Sequence, residues 1–295
     1  MKYNPNTKNN EKIIILGHEN PDVDSIISGF LLQQLLNKKG IPAEFIIPDK
    51  TIEQDSVKIC LSYGLNPYKF QKEIDISSES QKYILVDHHE RELNGEIIAI
   101  IDHHPTNKKI TIPNYYNQIS SSTSCILCKN NEIYFSKKEL ELAIVAALVD
   151  TASFHSTKSR KEDKVWIENW CNKLKLDYKK LYKIGLSLTS LENLESASLN
   201  GLKKYNFYSN IVQSSCIQIE NTPSNHKKIK KIIEYLKQYV HDNNVDIFIF
   251  IVHDMTNFCS KVYQISKTEV IEKEYKQYTS RGNTIIPEVV KSLKK

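Results

Sequence analysis

The chain has 295 residues, of which 40% are hydrophobic and 25% charged, and its formal net charge at pH 7 is +5. This length suits two domains or one large one, and this composition excludes an intrinsically disordered chain. No apolar stretch approaches the length of a membrane span, and the first residues are not those of a signal peptide. We therefore predict a cytoplasmic protein with no membrane partner. The small positive excess suits an anionic substrate but does not by itself indicate nucleic acid.

The first half of the chain alternates between short apolar runs and amphipathic stretches. Short runs bounded by turn residues predict strands, and apolar residues recurring every three or four positions predict helices. In chain order we expect a strand at 12–16, a helix at 24–38, a strand at 43–47, a helix at 51–62, strands at 83–86 and 97–101, and helices at 137–150, 160–174 and 178–188. Strands that alternate with helices predict an α/β fold with a parallel sheet and flanking helices.

The alternation restarts after residues 190–198. There we expect a strand at 208–219, a helix at 225–241, strands at 245–252 and 258–265, and a closing helix at 285–293. We therefore predict two domains, residues 1–190 and residues 196–295, of which the second is a smaller α/β domain.

Aspartate and histidine follow three of the predicted strands of the first half. The residues are His18, Asp22 and Asp24 after the first run, Asp87, His88 and His89 after the third, and Asp102, His103 and His104 after the fourth. Asp150 ends an apolar helix, where a carboxylate is costly unless it is paired or bound to a metal. Parallel strands end at a shared crevice, and imidazole with carboxylate is the ligand mixture of a catalytic divalent metal. The pattern predicts a metal site.

Each motif taken alone also has a purely structural explanation. Asp22 or Asp24 could cap the helix that follows, and an aspartate beside a histidine could be a satisfied hydrogen bond. Four such features together favour a metal centre. Two divalent ions about 3.5–4 Å apart stabilise both the attacking and the leaving oxygen of an in-line phosphoryl displacement. The candidate ligands for such a pair are His18, Asp22, Asp24, Asp87, His103 and Asp150.

In their order along the chain, these motifs resemble those of the DHH phosphoesterase superfamily. The residues that carry the resemblance are 18–26, 86–88, 102–104 and 150–151, with 201–205 and 280–287 in the second half. The branch with the greatest similarity is that of the manganese-dependent (family II) inorganic pyrophosphatases, and the related exopolyphosphatase branch comes second. The resemblance implies an active site in the cleft between two domains and hydrolysis of inorganic pyrophosphate to two phosphates.

The resemblance also implies a role for each matching residue. His18 and Asp22 would hold one ion, and Asp24, His103 and Asp150 the other. Asp87 would bridge the two ions, for which Mn²⁺ is expected, with Co²⁺ or Mg²⁺ as alternatives. His104, Lys203 and Arg281 would bind phosphate oxygens and, with Asp87, form the catalytic set. The implied partner is a small anionic phosphate compound; nucleic acid is not expected, and a homodimer is left open.

Three positions depart from the pyrophosphatase pattern. His89 stands in the place of an asparagine, Gly282 and Asn283 stand where a lysine is usual, and residues 120–124 replace a Gly-Cys-Thr sequence. These departures leave exopolyphosphatase action on short linear polyphosphate as the main alternative. An oligonucleotide phosphodiesterase is disfavoured because such proteins carry a Gly-Gly-His element and this chain has no Gly-Gly pair. A catalytically weak interaction protein on the same scaffold is disfavoured because all six candidate ligands are present.

Overall fold

The computed structural model describes residues 12–293 except 77, 90, 107–108 and 113. These residues form two five-stranded sheets, each with its own helices. The first half contains β1 (Ile13–Leu16), α1 (Val23–Lys38), β2 (Ala43–Ile46), α2 (Gln54–Ser62), β3 (Lys82–Val86), β4 (Glu96–Asp102), β5 (Tyr115–Asn117), α3 (Thr123–Lys129), α4 (Lys137–Asp150), α5 (Lys161–Leu174) and α6 (Tyr178–Gly185). The second half contains α7 (Leu194–Ser198), β6 (Lys203–Phe207), β7 (Asn210–Ile219), α8 (Pro223–Asp242), β8 (Ile247–Asp254), β9 (Cys259–Ile265), β10 (Val270–Tyr275) and α9 (Ile286–Leu293).

The first sheet has the strand order β2-β1-β3-β4-β5, and every neighbouring pair is parallel. Its central strands are buried on both faces, which is why they read as continuous apolar runs. In β1, Ile13 and Ile15 pack into the core formed with the helices, and Ile14 and Leu16 into the core on the opposite face. Strands and connecting segments supply the apolar partners on that opposite face. The flanking helices among the described residues therefore cover one face of the sheet.

The second sheet has the order β10-β9-β8-β7-β6 and is mixed, with only the β7–β8 pair parallel. Along β8, Phe248 and Phe250 pack toward α7 and α8, whereas Ile249 and Ile251 pack toward α9. The predicted fold class is confirmed: a parallel-sheet domain with helices is followed by a second α/β unit.

Several element boundaries differ from those predicted. The helix expected from residue 51 begins at Gln54, and the one expected to reach 188 ends at Gly185. The strand expected from 208 begins at Asn210 because residues 208 and 209 have positive φ and form a turn. The strands β5, β6 and β10 were not predicted. Among the described residues, no helix is both long and apolar enough to cross a membrane.

The chain joins the second sheet near residue 190. The N–H of Thr189 donates to the carbonyl of Gln218 at 2.8 Å, and Leu191 lies in the core of the second unit. The division into residues 1–190 and 196–295 stays a prediction.

Candidate metal centre

The turn from β1 into α1 positions the first two candidate ligands. Oδ1 of Asp22 caps α1 by accepting hydrogen bonds from the N–H groups of Asp24 and Ser25, both at 3.1 Å. Its other oxygen, Oδ2, lies 3.3 Å from Nε2 of His18. The Nδ1 of His18 donates to the carbonyl of Glu19 at 2.8 Å, so the other ring nitrogen, Nε2, is the one that faces the Asp22 carboxylate. The capping role and the ligand role of Asp22 are therefore compatible.

Asp87 joins the two halves of the cluster. It follows β3 with φ of 63°, a left-handed conformation that aspartate and asparagine adopt more readily than most residues. Its carboxylate is buried, with Oδ2 at 3.7 Å from Nε2 of His18 and Oδ1 at 3.4 Å from Nε2 of His103. The hydroxyl of Thr123 donates to the same Oδ1 at 3.1 Å. One carboxylate thus faces two imidazole nitrogens on opposite sides.

His103 presents its outer nitrogen to a second set of carboxylates. Its Nδ1 donates to the carbonyl of Ser120 at 3.0 Å, so Nε2 carries the lone pair. That Nε2 lies 3.4 Å from Oδ2 of Asp150 and 3.9 Å from Oδ2 of Asp24. Both the His103 Nε2 and the Asp150 Oδ2 are buried, and neither has a hydrogen-bond partner among the described residues. Such orphaned groups are costly, and a cation between them would satisfy both.

The predicted ligands gather into two groups of three. One contains His18, Asp22 and Asp87, and the other contains Asp24, His103 and Asp150; within each, the donor atoms lie within 4.8 Å of one another. A further group of the same kind joins His104 to Asp87 and His103. Imidazole and carboxylate in this proportion suit Mn²⁺, Co²⁺ or Zn²⁺ better than Mg²⁺. The residues present therefore fit divalent cations.

The charges of this cluster are unbalanced without cations. Burial, together with the neighbouring Asp87 and Asp150, raises the pKa of Asp24 well above its ordinary value. Burial and the charges of Asp22 and Asp150 do the same to the pKa of Asp87. Burial would also raise the pKa of Asp22, but His18 and a lysine beside it hold that pKa well below its ordinary value. Divalent cations stabilise the ionised form of carboxylates that lie this close together.

The N-terminus of α3 supports Asp24. The N–H groups of Thr123 and Ser124 donate to the two Asp24 oxygens at 2.7 and 3.1 Å, and the Ser124 hydroxyl donates at 2.6 Å. A helix N-terminus stabilises a negative charge. Although residues 120–124 differ from the Gly-Cys-Thr sequence expected there, they still supply N–H and hydroxyl donors to the Asp24 carboxylate.

Asp102, which is fully buried, fixes the orientation of two histidines. Its Oδ1 accepts from Nδ1 of His104 at 2.8 Å, and its Oδ2 accepts from Nδ1 of His89 at 2.5 Å. Burial and the neighbouring His103 lower the pKa of His104 to about 4, although Asp102 opposes the shift, so the ring is neutral at pH 7. His89, which departs from the pyrophosphatase pattern, therefore has a definite partner that the sequence did not reveal.

Two candidate phosphate-binding residues come from the second half of the chain. Lys203 begins β6, and its Nζ lies 3.4 Å from Nε2 of His18 and 3.8 Å from Oδ2 of Asp22. Arg281 begins a single π-helical turn and donates from a terminal guanidinium nitrogen to the carbonyl of Gly201 at 2.5 Å. The structure therefore places Lys203 beside the candidate metal ligands. Among the described residues, Arg281 makes no ion pair within 4.0 Å with a candidate ligand.

Lys158 was not predicted. Its ammonium pairs with Oδ1 of Asp150, and its side chain is only 11% exposed. It lies between α4 and α5 in a segment with neither a motif nor a regular apolar spacing. The one available signal was a lysine close in sequence to a candidate ligand, which is too common to indicate a site.

The sequence of this chain is similar to sequences of known proteins over most of its length. A family model described as the N-terminal domain of the DHH family matches residues 12–149. A probable manganese-dependent inorganic pyrophosphatase of Listeria welshimeri is 25% identical over 280 residues, covering 90% of this chain and 89% of that protein. The manganese-dependent inorganic pyrophosphatase of Methanocaldococcus jannaschii is 26% identical over 317 residues, covering 95% of each chain.

The fold is also shared with a solved structure. The crystal structure of a candidate family II inorganic pyrophosphatase from Methanococcus jannaschii superimposes with a TM-score of 0.77 at 19% identity. The match covers 96% of this chain and 100% of that one. At this identity the likeness shows the fold, which includes both units of the chain.

Proposed function

We propose that this protein is a dinuclear-metal hydrolase that converts inorganic pyrophosphate to two phosphates, a proposal supported by the match of residues 12–149 to the model of the N-terminal domain of the DHH family. The observation that carries the proposal is the pair of ligand groups linked by Asp87. Its relatives at about 25% identity carry the name of manganese-dependent inorganic pyrophosphatase, which supports the same reaction class.

Six side chains would hold the ions. His18 and Asp22 would bind the first, Asp24, His103 and Asp150 the second, and Asp87 both. Such a pair of ions, when bound, activates water and stabilises the charge that develops on phosphoryl oxygens. The imidazoles favour Mn²⁺ or Co²⁺ over Mg²⁺, which prefers oxygen ligands.

The remaining residues would bind and orient the substrate. The four candidate carboxylates would balance the positive charge of two divalent ions. Lys203 and Arg281 would then neutralise the negative charge of pyrophosphate. A lysine point charge and an arginine fork both suit phosphate oxygens. Asp22 raises the pKa of Lys203 above its ordinary value although burial would lower it, so this lysine is charged at neutral pH. Asp102 would hold the His104 ring in one orientation toward the substrate.

The test is phosphate release from pyrophosphate, tripolyphosphate and a dinucleotide, measured side by side with Mn²⁺ and with Mg²⁺. We expect pyrophosphate hydrolysis with Mn²⁺ that Asp87→Asn reduces by several orders of magnitude. The matched control is Asp55→Asn, which makes the same change on the exposed side of α2. Cleavage of the dinucleotide alone, or a fully active Asp87→Asn protein with both ions bound, would refute the proposal.

Action on short polyphosphate is the second candidate, and the position of Gly282 favours it. A Cβ on Gly282 would lie 3.4 Å from Cδ2 of His104, so any side chain here would stand against a candidate substrate-binding ring. Glycine leaves that space for a longer substrate. The tripolyphosphate arm of the same assay separates the two activities.

A further inference from the structure

Among the residues that the structure describes, two lysines contact the candidate metal centre, one at each end. Lys203 lies beside Asp22 in the first ligand group, and Lys158 pairs with Asp150 in the second. Both ammonium groups are largely shielded from solvent, with side chains 21% and 11% exposed. Only Lys203 has a part in the function proposed above. Lys158 is a largely buried cation at the same centre that this function leaves without a role.

The pairing of Lys158 with Asp150 would change if the centre bound a metal ion. Its partner oxygen, Oδ1 of Asp150, belongs to a carboxylate whose other oxygen faces Nε2 of His103 at 3.4 Å. A divalent ion held by Asp150 would supply the positive charge that Lys158 supplies in the metal-free chain. The ammonium would then lie beside a neutralised carboxylate in a poorly hydrated place, and an unpaired buried charge is costly. An anion bound next to the metal ions would give the Lys158 ammonium a new partner.

The backbone holds Lys158 near the segment that carries Arg281. The N–H of Thr157 donates to the carbonyl of Tyr278 at 3.0 Å, and its hydroxyl oxygen accepts from the N–H of Ser280 at 3.0 Å. These two bonds fasten the residue before Lys158 to the residues before Arg281. The four-carbon stem of a lysine lets its ammonium move by several ångströms without a change of backbone.

From this geometry we infer that Lys158 binds a phosphate group of the substrate at the Asp150 end of the centre, as Lys203 would at the Asp22 end. The inference rests on the proposed function and adds a specificity-determining cation to it. A substrate with two or more linked phosphates has negative charge at both ends, which matches cations placed on either side of the ions. A single phosphate group would reach only one of them.

The test measures binding rather than turnover. Imidodiphosphate, a pyrophosphate analogue with nitrogen in place of the bridging oxygen, is titrated calorimetrically into protein saturated with Mn²⁺. The proteins compared are wild type, Lys158→Met, Lys158→Arg and the control Lys138→Met, which removes a lysine paired with Glu141 on the exposed side of α4. The affinity and stoichiometry of Mn²⁺ are measured on the same proteins.

We expect Lys158→Met to weaken imidodiphosphate binding by about 10- to 100-fold, the usual worth of a charged hydrogen bond to phosphate. Arginine at 158 should retain most of the affinity because it keeps the charge and the reach. Mn²⁺ should bind the Lys158→Met protein at least as tightly as wild type, since no ammonium competes for Asp150. The Lys138→Met protein should bind both ligands as wild type does.

Two results would overturn the role of Lys158 alone. One is a Lys158→Met protein that binds imidodiphosphate as wild type does. The other is a Lys158→Met protein that loses Mn²⁺, which would make the lysine a support for Asp150. A wild-type protein that binds Mn²⁺ but not imidodiphosphate would refute the proposed function itself, and the inference with it.

Discussion

Replacing Asp87 by asparagine should change the stability of the protein in opposite directions with and without Mn²⁺. Asparagine has nearly the same shape, tolerates the left-handed backbone at φ of 63°, and can still accept the hydrogen bond from the Thr123 hydroxyl. The substitution therefore removes one negative charge and little else. In the metal-free chain that charge is repelled by its neighbours, whereas in the metal-loaded chain it would bind both ions.

The size of the repulsion follows from the distances. One carboxylate oxygen of Asp87 and one of Asp22 lie within 4.8 Å of each other, and besides burial the charges of Asp22 and Asp150 raise the pKa of Asp87. Two like charges about 5 Å apart repel by about 3 kcal/mol at an effective dielectric constant of about 20. Lys203 offsets part of this repulsion, so we expect a gain in the free energy of unfolding of about 1–2 kcal/mol. For a chain of this size, that corresponds to a rise in Tm of about 2–4 °C.

The gain should depend on pH. The pKa of Asp87 in the folded chain is raised, so its ionised form is disfavoured there. The penalty is absent at a pH below the ordinary aspartate pKa of about 3.9, and it grows as pH rises through the raised pKa. The advantage of Asp87→Asn should therefore be greatest at neutral pH and disappear in acid. With Mn²⁺ the order reverses, because each ion at a hundred times its Kd adds about 3 kcal/mol to the wild type.

The assay is thermal denaturation of both proteins with chelator and with Mn²⁺, at neutral and acidic pH. A variant that is less stable than wild type in chelator would show that Asp87 stabilises the fold through contacts rather than destabilising it through charge. A variant that gains as much from Mn²⁺ as wild type would show that Asp87 is not a metal ligand. Either result refutes the reasoning.

Three further predictions follow from the site. Mn²⁺ should bind the metal-free protein more tightly than Mg²⁺ in calorimetry, because imidazoles occur in both ligand groups. Tripolyphosphate should be cleaved within about tenfold of the rate for pyrophosphate, and Gly282→Lys should shift that preference toward pyrophosphate by placing a charge beside His104. Asp163→Ala should lower the free energy of unfolding by about 2–4 kcal/mol, measured by denaturant titration, because the buried carboxylate accepts from the Ser121 N–H and pairs with Lys129.

Each of these predictions has a result that contradicts it. Equal affinity for the two ions would show that the imidazoles do not select the metal. Wild-type cleavage of pyrophosphate at least about a thousandfold faster than tripolyphosphate, a difference of about 4 kcal/mol in barrier, would show that another cation replaces the missing lysine. A fall in stability of less than about 1 kcal/mol for Asp163→Ala would show that water satisfies the Ser121 N–H and Lys129.

The parts of the fold that the sequence predicted well are those buried on both faces or clearly amphipathic. Strand β1 and helix α1 were placed within one residue of their observed ends, because Ile13–Leu16 is wholly buried and Asp22 is a favourable helix cap. The parallel order then brings the ends of β1, β3 and β4 together, which is why residues far apart in sequence meet at one edge. The prediction that His18, Asp87 and His103 lie close together followed from that rule, and the distances confirm the proximity.

The edge strands β6 and β10 were not predicted, for a physical reason. Strand β6, which starts at Lys203, is partly exposed along its length and mixes lysine with aromatic residues. Strand β10 is likewise exposed at most positions. Such strands lie at the sheet edge, where hydrogen bonds to one neighbour are enough and no continuous apolar run is required. The sequence therefore identified Lys203 through a motif but could not show that a strand holds it.

Two side-chain pairs were not predicted either. His89 follows β3 and its partner Asp102 ends β4, whereas Asp150 ends α4 and its partner Lys158 follows that helix; no periodicity links either pair. A hydrogen bond of this kind depends on the final packing of the sheet rather than on local propensity. The departure of His89 from the family pattern was visible in the sequence, but its partner was not.

The two kinds of functional residue also differ in how strictly the backbone fixes them. Aspartate and histidine are short, so a metal ligand must come from a position within a few ångströms of the ion, and strand ends supply few such positions. Lysine reaches several ångströms along a flexible stem, so a phosphate-binding charge can be supplied from several places around the same ions. The candidate metal ligands are accordingly all at the positions that the resemblance implies, whereas the lysine expected beside Arg281 is absent and another lies at position 158. The motifs therefore predict the metal ligands better than they predict substrate preference. Substitutions at positions 158 and 282 are the ones that test this preference.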